Sequence, residues 1–269
     1  MRMEFSIALI CSLMGYLIGS VSFARIGLKL AGIKRDISEL EIPVEGTDET
    51  ARVEIFGANA ASMILGAKAG ILIGVMDMLK AALPMIMLRF ILYPTEYYYL
   101  IVWVSVLVGH NWPLYFGFKG GRGFSVIFGG LFIVDFIASI MLPIIGILFG
   151  LFVAGNMMVG YISWVFFMPI WFLFRTSELS FFVCSFLIMI LFILSIRPEV
   201  MTMAKYRKEG KLQEYMKGLY ASSPRWRGMK RMQNVVDKFG KKRYVMGFIV
   251  FFIIVILFMN IGLFPMLYD

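Results

Sequence analysis

The stretch 109–123 carries residue types and a spacing suited to binding a phosphate group. It reads Gly-His-Asn-Trp-Pro-Leu-Tyr-Phe-Gly-Phe-Lys-Gly-Gly-Arg-Gly and joins two apolar segments. Its last glycines can adopt backbone conformations closed to other residues, so several N–H groups can point at one place. These glycines are Gly120, Gly121 and Gly123. Lys119, Arg122 and the N-terminus of the next helix add positive charge. An ordinary cytoplasmic turn is the alternative, but the four glycines of 117–123, two cations and a histidine together favour a phosphate site.

His110 is the only histidine of the chain, and two roles are open to it. It acts as a general base or phosphate donor, or it is a polar residue with satisfied hydrogen bonds at a helix end. A single histidine excludes a multi-histidine metal centre. Cys11 and Cys184, the only cysteines, lie in apolar runs, which excludes a disulfide framework and a cysteine-based zinc site. No metal site is predicted.

A pair of charged residues, Asp77 and Lys80, lies inside an apolar segment. Ionisable groups within a membrane span are costly unless they are paired or hydrated. Their i, i+3 spacing puts both on one helix face, where they can neutralise each other. A structural pair near the cytoplasmic end and a catalytic role are equally open. In either case, the face that carries them must point into the bundle.

A third group of polar residues lies in the first apolar segment, in the run Gly-Ser-Val-Ser-Phe-Ala-Arg that ends at Arg25. Ser20 and Ser22 either bond back to their own helix or face a ligand. Arg25 lies one turn further toward the cytoplasm and is expected to reach the same phosphate as the glycine turn.

Membrane helices must position these groups, because 60% of the 269 residues are hydrophobic and only 16% are charged. Soluble domains carry about a quarter charged residues. The predicted fold class is therefore all-α, a polytopic integral membrane helix bundle. A membrane helix needs about 20 mostly apolar residues. Eight candidate spans lie at about 5–30, 63–90, 97–116, 124–136, 138–155, 157–174, 180–196 and 244–266. The fourth and fifth form one long apolar stretch in which only Asp135 and Pro143 indicate where it breaks, and a single tilted helix is the alternative there.

Lysine and arginine placement predicts the orientation of the bundle. Of the 26 Lys and Arg residues, 14 lie in 197–243, and others lie in the connections 31–62 and 117–123. Eight alternating spans put all three segments on one side, so we expect a multi-pass plasma-membrane protein with cytoplasmic basic loops and both termini outside. The net charge of +9 then indicates contact with anionic membrane lipids and not with nucleic acid. The segment 197–243 is either a solvated loop or a surface helix that lies on lipid headgroups or borders a substrate entrance.

Three motifs in this order resemble the bacterial acyl-phosphate:glycerol-3-phosphate acyltransferases. The loop Gly-His-x-x-Pro followed by Gly-Phe-Lys-Gly-Gly-Lys-Gly is similar to 109–123, with Arg122 in place of the last lysine. The run 65–80 resembles the second span of that family, and Gly-Ser-Val-Ser at 19–22 resembles its first-span motif. The similarity covers about residues 15–170.

The resemblance implies a seven-span membrane enzyme without a cofactor. Such an enzyme moves an acyl chain from acyl phosphate to glycerol 3-phosphate, or to a similar phosphorylated acceptor. By position, residues 119–123 inherit the binding of glycerol 3-phosphate. The chain then divides into an acyltransferase-like membrane domain over 1–196, the basic segment 197–243 and an additional C-terminal membrane helix in 244–269. Oligomeric state is not indicated.

Two family motifs are altered in this chain. After the first span, the family has Asp-x-Arg and then Gly-Ser-Gly-Asn-x-Gly-Ala-Thr-Asn, whereas here Val53 takes the place of the serine. Arg35 or Arg52 could replace the missing arginine in space, and Asn59 is a further candidate for the phosphate site. The late His-Arg-x-Asn-Ile segment is replaced by Arg-Pro-Glu-Val at 197–200.

These departures leave two other functions to weigh against acyl transfer. One is a catalytically inactive family member that binds a phospholipid headgroup or a partner enzyme. The other is a transporter or channel for a phosphorylated solute, against which stands the absence of repeated halves in the sequence.

Overall fold

The computed structural model describes residues 4–34, 40–46, 48–52 and 57–250, and it is built almost entirely of helices. In this part of the chain, six helical stretches are long and apolar enough to cross a membrane. They are Phe5–Leu30, Ala67–Leu92, Tyr98–Phe116, Phe136–Ala154, Met157–Arg175 and Leu179–Lys208. The predicted all-α, multi-pass membrane fold is therefore confirmed. The predicted last span, 244–266, lies mostly outside the described residues.

In chain order the helices are α1 Phe5–Gly19, α2 Phe23–Leu30, α3 Ala58–Leu65, α4 Ala67–Met87, α5 Tyr98–Asn111, α6 Phe124–Val134, α7 Phe136–Leu148, α8 Met157–Arg175, α9 Leu179–Lys208, α10 Leu212–Ser222 and α11 Pro224–Phe239. The strands are β1 Glu41–Pro43 and β2 Thr50–Arg52. Leu88–Leu92 and Phe149–Ala154 continue α4 and α7 as π-helix, and Leu114–Phe116 forms a 3₁₀ turn. Two compact units result: Met1–Val134 with Ile190–Arg227, and Asp135–Met189 with Gly228–Asp269.

In the first unit, α1 and α5 pack closely because glycines face each other across them. A Cβ at Gly19 would lie 2.2 Å from the carbonyl oxygen of Val106, and one at Gly109 would lie 2.1 Å from that of Tyr16. Small residues at such an interface let membrane helices approach backbone to backbone. The close contact brings the end of α1 beside the end of α5, where the glycine turn begins.

Helix α6 lies against α4 in the same unit and is too short to cross a bilayer alone. Its 11 residues extend about 16 Å, against about 30 Å for the hydrocarbon core. A Cβ at Gly129 would lie 2.4 Å from the carbonyl oxygen of Met78, so α6 and α4 also touch through their backbones. Arg89 donates to the carbonyl oxygens of Ile133 and Val134, which places a cation at the C-terminus of α6.

Strands β1 and β2 form an antiparallel hairpin that packs on α10. Ile42 pairs with Ala51 in the ladder, and both are buried. The carbonyl oxygen of Pro43 lies so close to Gly218 that a Cβ there would approach it to 1.9 Å. Lys211 Nζ and Glu49 Oε1 are 2.6 Å apart and add an exposed ion pair. The hairpin within the connection after the first span is thus packed against the segment that follows α9.

In the second unit, the long apolar stretch after the glycine turn is broken at Asp135. This residue caps α7 by accepting a hydrogen bond from the Ala138 N–H at 3.1 Å. Its other oxygen accepts from Trp171 Nε1 at 3.0 Å and from Arg175 Nε at 3.1 Å. An aspartate is a good N-cap, and its charge is neutralised here by an arginine. The break predicted at Asp135 is present, and Pro143 lies inside α7.

The basic segment 197–243 is largely helical. It begins inside α9, which continues beyond the predicted end of that span at residue 196, because no helix-ending glycine occurs before Gly210. Gln233 of α11 accepts from the Met157 N–H at 2.9 Å and donates to the Gly155 carbonyl oxygen at 3.1 Å. The end of one membrane helix and the start of the next are thereby tied to α11 within the second unit.

We expect Gly109→Ala to destabilise the protein by about 1–3 kcal/mol, because the added methyl group overlaps the backbone of α1. The measurement is the midpoint of thermal unfolding in detergent. Gly228→Ala in α11 is the control, since nothing lies within 4 Å of a Cβ there. Equal midpoints for the two variants would contradict the close α1–α5 packing.

Candidate active site

The ammonium group of Lys80 is the centre of a buried polar cluster. Its Nζ lies 3.1 Å from Asp77 Oδ1 and donates to the carbonyl oxygens of Gly19 and Val21, each at 3.0 Å. Those two carbonyls lie where the first membrane span is interrupted between α1 and α2. Asp77 and Lys80 are 2% and 6% exposed, so the predicted pair does point into the bundle. The Lys80 cation thus neutralises the Asp77 carboxylate and also donates hydrogen bonds to the carbonyls at the break between α1 and α2.

His110 joins this cluster through its Nδ1 atom, which lies 2.8 Å from Lys80 Nζ. An ammonium group can only donate, so Nδ1 accepts and the ring proton lies on Nε2. The Nε2 side of the ring faces Gly121, where a Cβ would lie 2.1 Å from Nε2. His110 therefore presents a donor, and not a base, to the glycine turn.

Residues 117–123, here called the glycine loop, are held against the end of α5. The Gly121 N–H donates to the His110 carbonyl oxygen at 3.0 Å. A Cβ at Gly120 would lie 2.1 Å from the same oxygen, so only glycine fits. Gly117, Phe118 and Gly123 have positive φ angles of 59°, 61° and 80°. Within the described part of the chain, the buried N–H groups of Gly120 and Gly123 have no hydrogen-bond acceptor. Buried N–H groups without acceptors are rare in proteins.

Arg25 and Ser20 tie the first span to this loop. Arg25 Nη1 donates to the Lys119 carbonyl oxygen at 3.0 Å, and its guanidinium lies 4.3 Å from the centre of the Phe116 ring. Ser20 Oγ donates to the Tyr16 carbonyl oxygen at 2.8 Å and accepts from the Leu114 N–H at 3.3 Å. Ser20 bonds back to its own helix, as one of the two sequence interpretations had it. Arg25 thus holds the backbone of the glycine loop, and Ser20 holds the 3₁₀ turn that precedes it.

A cavity of about 10 Å³ lies where these elements meet, which is enough room for one water molecule. Its lining is mostly polar or glycine and includes Ser20, Asp77, His110, Gly120 and Gly121. Gly57, just before α3, completes the lining, and a Cβ at Gly57 would lie 3.9 Å from the Cα of Gly121. Five of the eleven residues predicted for the site thus line one cavity.

The two loop cations have different surroundings. The Lys119 side chain is exposed. Arg122 Nε is paired with Glu199 Oε1, and the Arg122 carbonyl oxygen accepts from Ser195 Oγ at 3.3 Å. Glu199 also affects Tyr215: burial first, then the charges of Glu199 and Tyr206, raise the pKa of Tyr215 to about 12. Helix α9 therefore touches the glycine loop through two side chains.

The predicted candidates from the altered motif lie elsewhere or outside the described residues. Asn59 Oδ1 accepts from Ser223 Oγ at 3.4 Å, and Asn59 does not line the cavity. Arg35, Val53 and the side chain of Arg52 lie outside the described residues. Sequence reasoning did not select Gly57 or Glu199. Gly57 was visible as part of a surviving family Gly-Ala pair, whereas nothing local marked Glu199 as a partner of Arg122.

A metal ion has no evident site here. Among residues 4–34, 40–46, 48–52 and 57–250, no three His, Cys, Asp or Glu side chains come together as metal ligands.

Residues 9–206 match the family model described as glycerol-3-phosphate acyltransferase. The chain belongs to the glycerol-3-phosphate acyltransferase family. The resemblance inferred from the loop motif is thereby confirmed. A glycerol-3-phosphate acyltransferase of Hydrogenobaculum sp. is 34% identical over 130 residues, which cover 48% of this chain and 60% of that protein. One of Desulfotalea psychrophila is 34% identical over 154 residues, covering 56% of this chain and 68% of that protein. The chain thus spans about 60% of the length of the first of these relatives.

A solved structure of the same family shares the fold. The glycerol 3-phosphate form of PlsY, an integral membrane glycerol 3-phosphate acyltransferase, has a TM-score of 0.60 and 21% identity. The match covers 76% of this chain and 93% of that chain. Family membership and fold therefore agree, and the matched region 9–206 ends before α10.

We expect Lys80→Met to lower the unfolding free energy by about 3–5 kcal/mol, because Asp77 is then a buried charge without a partner. The double variant Asp77→Asn/Lys80→Met should lose less, since no buried charge remains. Thermal unfolding in detergent measures both. If the double variant is less stable than Lys80→Met, the stability lost in Lys80→Met does not come from leaving Asp77 without its partner.

We expect Gly121→Ala to displace the His110 ring, because the new methyl group would overlap Nε2. His110 is the only histidine, so protein labelled with ¹⁵N in histidine gives one pair of ring-nitrogen signals. The unaltered protein should show the proton on Nε2, and the variant should shift both signals. Gly228→Ala should leave them unchanged. A wild-type spectrum with the proton on Nδ1 would contradict the Lys80–His110 hydrogen bond.

Proposed function

We propose that this protein transfers an acyl chain from acyl phosphate to glycerol 3-phosphate and so supplies lysophosphatidic acid for phospholipid synthesis. The observation that carries the proposal is the glycine loop beside the buried His110–Lys80–Asp77 cluster. Among the described residues, the N–H groups of Gly120 and Gly123 have no hydrogen-bond acceptor, and the loop also carries two cations. Membership of the family supports the same reaction.

The loop has the properties that a phosphate dianion requires. The N–H groups of Gly120 and Gly123 lack acceptors in the described residues, and the N-terminus of α6 follows directly. Phosphates bind readily to such backbone donors at helix N-termini. Lys119 and Arg122 supply positive charge on either side of Gly120 and Gly121. The cavity holds only one water molecule, so the acceptor's phosphate binds at its mouth against the loop.

The reaction needs no covalent intermediate on the protein. The acceptor's C1 hydroxyl oxygen attacks the carbonyl carbon of acyl phosphate, and the bond from that carbon to the phosphate oxygen breaks. The hydroxyl proton goes to the departing phosphate, so inorganic phosphate and the acylated product balance the equation. The protein's contribution is to position the reactants and to stabilise negative charge.

His110 contributes as a donor in this scheme. Its Nε2–H faces the loop, and Lys80 keeps it in that tautomer through Nδ1. Asp77 in turn neutralises Lys80. These partners hold the imidazole ring in one orientation. A donor that is already in position stabilises developing negative charge without having to rearrange during the reaction.

A binding protein without catalysis is the second candidate, and one observation favours it. The segment 197–200 lacks the histidine and asparagine of the family pattern. Such a protein would hold a phosphorylated headgroup without turning it over.

We place the protein in the cell membrane with the glycine loop on the cytoplasmic side. In the first unit, Arg25 donates to the glycine loop, which itself carries Lys119 and Arg122. Of the 26 Lys and Arg residues, 14 lie in 197–243, and cytoplasmic loops carry an excess of Lys and Arg.

The test uses purified protein with acyl phosphate and labelled glycerol 3-phosphate. We expect labelled lysophosphatidic acid, and a loss of about 10- to 100-fold in kcat/KM for Lys119→Ala, because one charge-assisted contact to phosphate is removed. Lys217→Ala, which removes an exposed lysine of α10, should retain full activity. Binding of glycerol 3-phosphate without turnover by the unaltered protein would establish the second candidate.

A further inference from the structure

Helix α9 and the glycine loop are joined by a set of specific contacts. Glu199 is paired with Arg122 Nε, and Ser195 Oγ donates to the Arg122 carbonyl oxygen at 3.3 Å. The ring of Phe192, one turn earlier, meets the ring of Phe124 with centroids 4.8 Å apart. Three consecutive turns of α9 therefore touch the residues on which the loop ends and α6 begins.

The pairing with Glu199 fixes the guanidinium of Arg122. The side chains of Arg122 and Glu199 are 16% and 21% exposed, so neither moves freely in water. A guanidinium is a rigid plane, and holding it at Nε determines the direction of both terminal nitrogens. A lysine has no atom equivalent to Nε and cannot be oriented in this way.

Arg122 and Glu199 both occupy positions where this chain differs from the family pattern. Arg122 stands where the loop pattern has lysine, and Glu199 lies in the Arg-Pro-Glu-Val run that replaces the late motif. The contact between them connects these departures physically: the altered late segment supplies the carboxylate that an arginine, but not a lysine, can use at Nε.

We propose that Glu199 is a positioning residue for substrate recognition, which acts by orienting the Arg122 guanidinium toward the phosphate of the acceptor. This inference rests on the proposed function. Glu199 itself does not touch the substrate. Its removal should weaken the use of glycerol 3-phosphate and leave the use of acyl phosphate unchanged.

The test is a double-mutant cycle on Glu199→Gln and Arg122→Lys, with steady-state kinetics in both substrates. Glu199→Gln should lower kcat/KM for glycerol 3-phosphate by about tenfold, as expected for one lost charge-assisted contact, with KM for acyl phosphate unchanged. In the Arg122→Lys background, the same change should alter kcat/KM by less than about twofold, because lysine is not oriented by Glu199. Glu199→Asp, which keeps the charge but shortens the side chain, should show an intermediate loss and serves if Glu199→Gln does not fold.

The control is Glu209→Gln, because Glu209 lies just beyond the end of α9, away from Glu199, and pairs with Lys205 at 3.9 Å on the exposed surface. Its kinetics should match those of the unaltered protein. Two results would assign Glu199 a purely structural role and overturn the inference. One is an equal loss of kcat/KM from Glu199→Gln in both backgrounds. The other is a loss that is the same for both substrates and is accompanied by lower thermal stability. Unchanged kinetics for Glu199→Gln would overturn it as well.

Calorimetric titration with glycerol 3-phosphate distinguishes failure of the proposed function from failure of the inference about Glu199. It uses the four proteins of the double-mutant cycle: the unaltered protein, the two single variants and the double variant. One outcome is that the unaltered protein binds glycerol 3-phosphate but does not acylate it, which excludes acyl transfer. The inference about Glu199 still stands in that case if Glu199→Gln weakens binding about tenfold when Arg122 is present and not in the Arg122→Lys background. Binding that does not depend on Glu199 overturns the inference alone. Absence of both binding and turnover overturns both.

Discussion

A single ammonium group, Lys80 Nζ, holds together the parts of the molecule that matter for chemistry. It has three protons and four acceptors within reach: two carbonyls, Asp77 and His110. A buried charge is tolerated only when it is paired and fully hydrogen-bonded. The interruption between α1 and α2 meets this requirement because it releases the Gly19 and Val21 carbonyls from helical bonding. The first span is therefore broken at the place where the cation needs acceptors.

The glycine loop is positioned indirectly by this cation, because Lys80 holds the His110 ring and the ring packs against the loop. The imidazole ring leaves room only for hydrogen at Gly121, and the His110 backbone imposes the same limit at Gly120. Arg25 then holds the loop from the first span, and Glu199 with Ser195 holds it from α9. The loop is thus fixed from three sides before any ligand arrives. The glycines serve close packing as much as unusual backbone angles.

Local patterns in the sequence predict much of this structure. Apolar runs give six of the eight predicted spans, Asp135 gives the break before α7, and the i, i+3 spacing gives the Asp77–Lys80 pair. The glycine loop also follows from its own residues. The Lys80–His110 contact does not, because 30 residues separate the partners and only the α4 and α5 packing brings them together. The same holds for Arg122 with Glu199, 77 residues apart, and for Asn59, whose partner Ser223 belongs to a distant turn.

The place of Asp77 along α4 sets the depth of the site. It lies ten residues beyond the first residue of the helix, Ala67, which corresponds to about 15 Å along the axis. The polar cluster therefore sits well below the level of the helix end. Under the proposed acyl transfer, a water-soluble acceptor would have to reach this level to meet a donor held in the lipid. The acylated product would then be released directly into the leaflet and would not cross the aqueous phase.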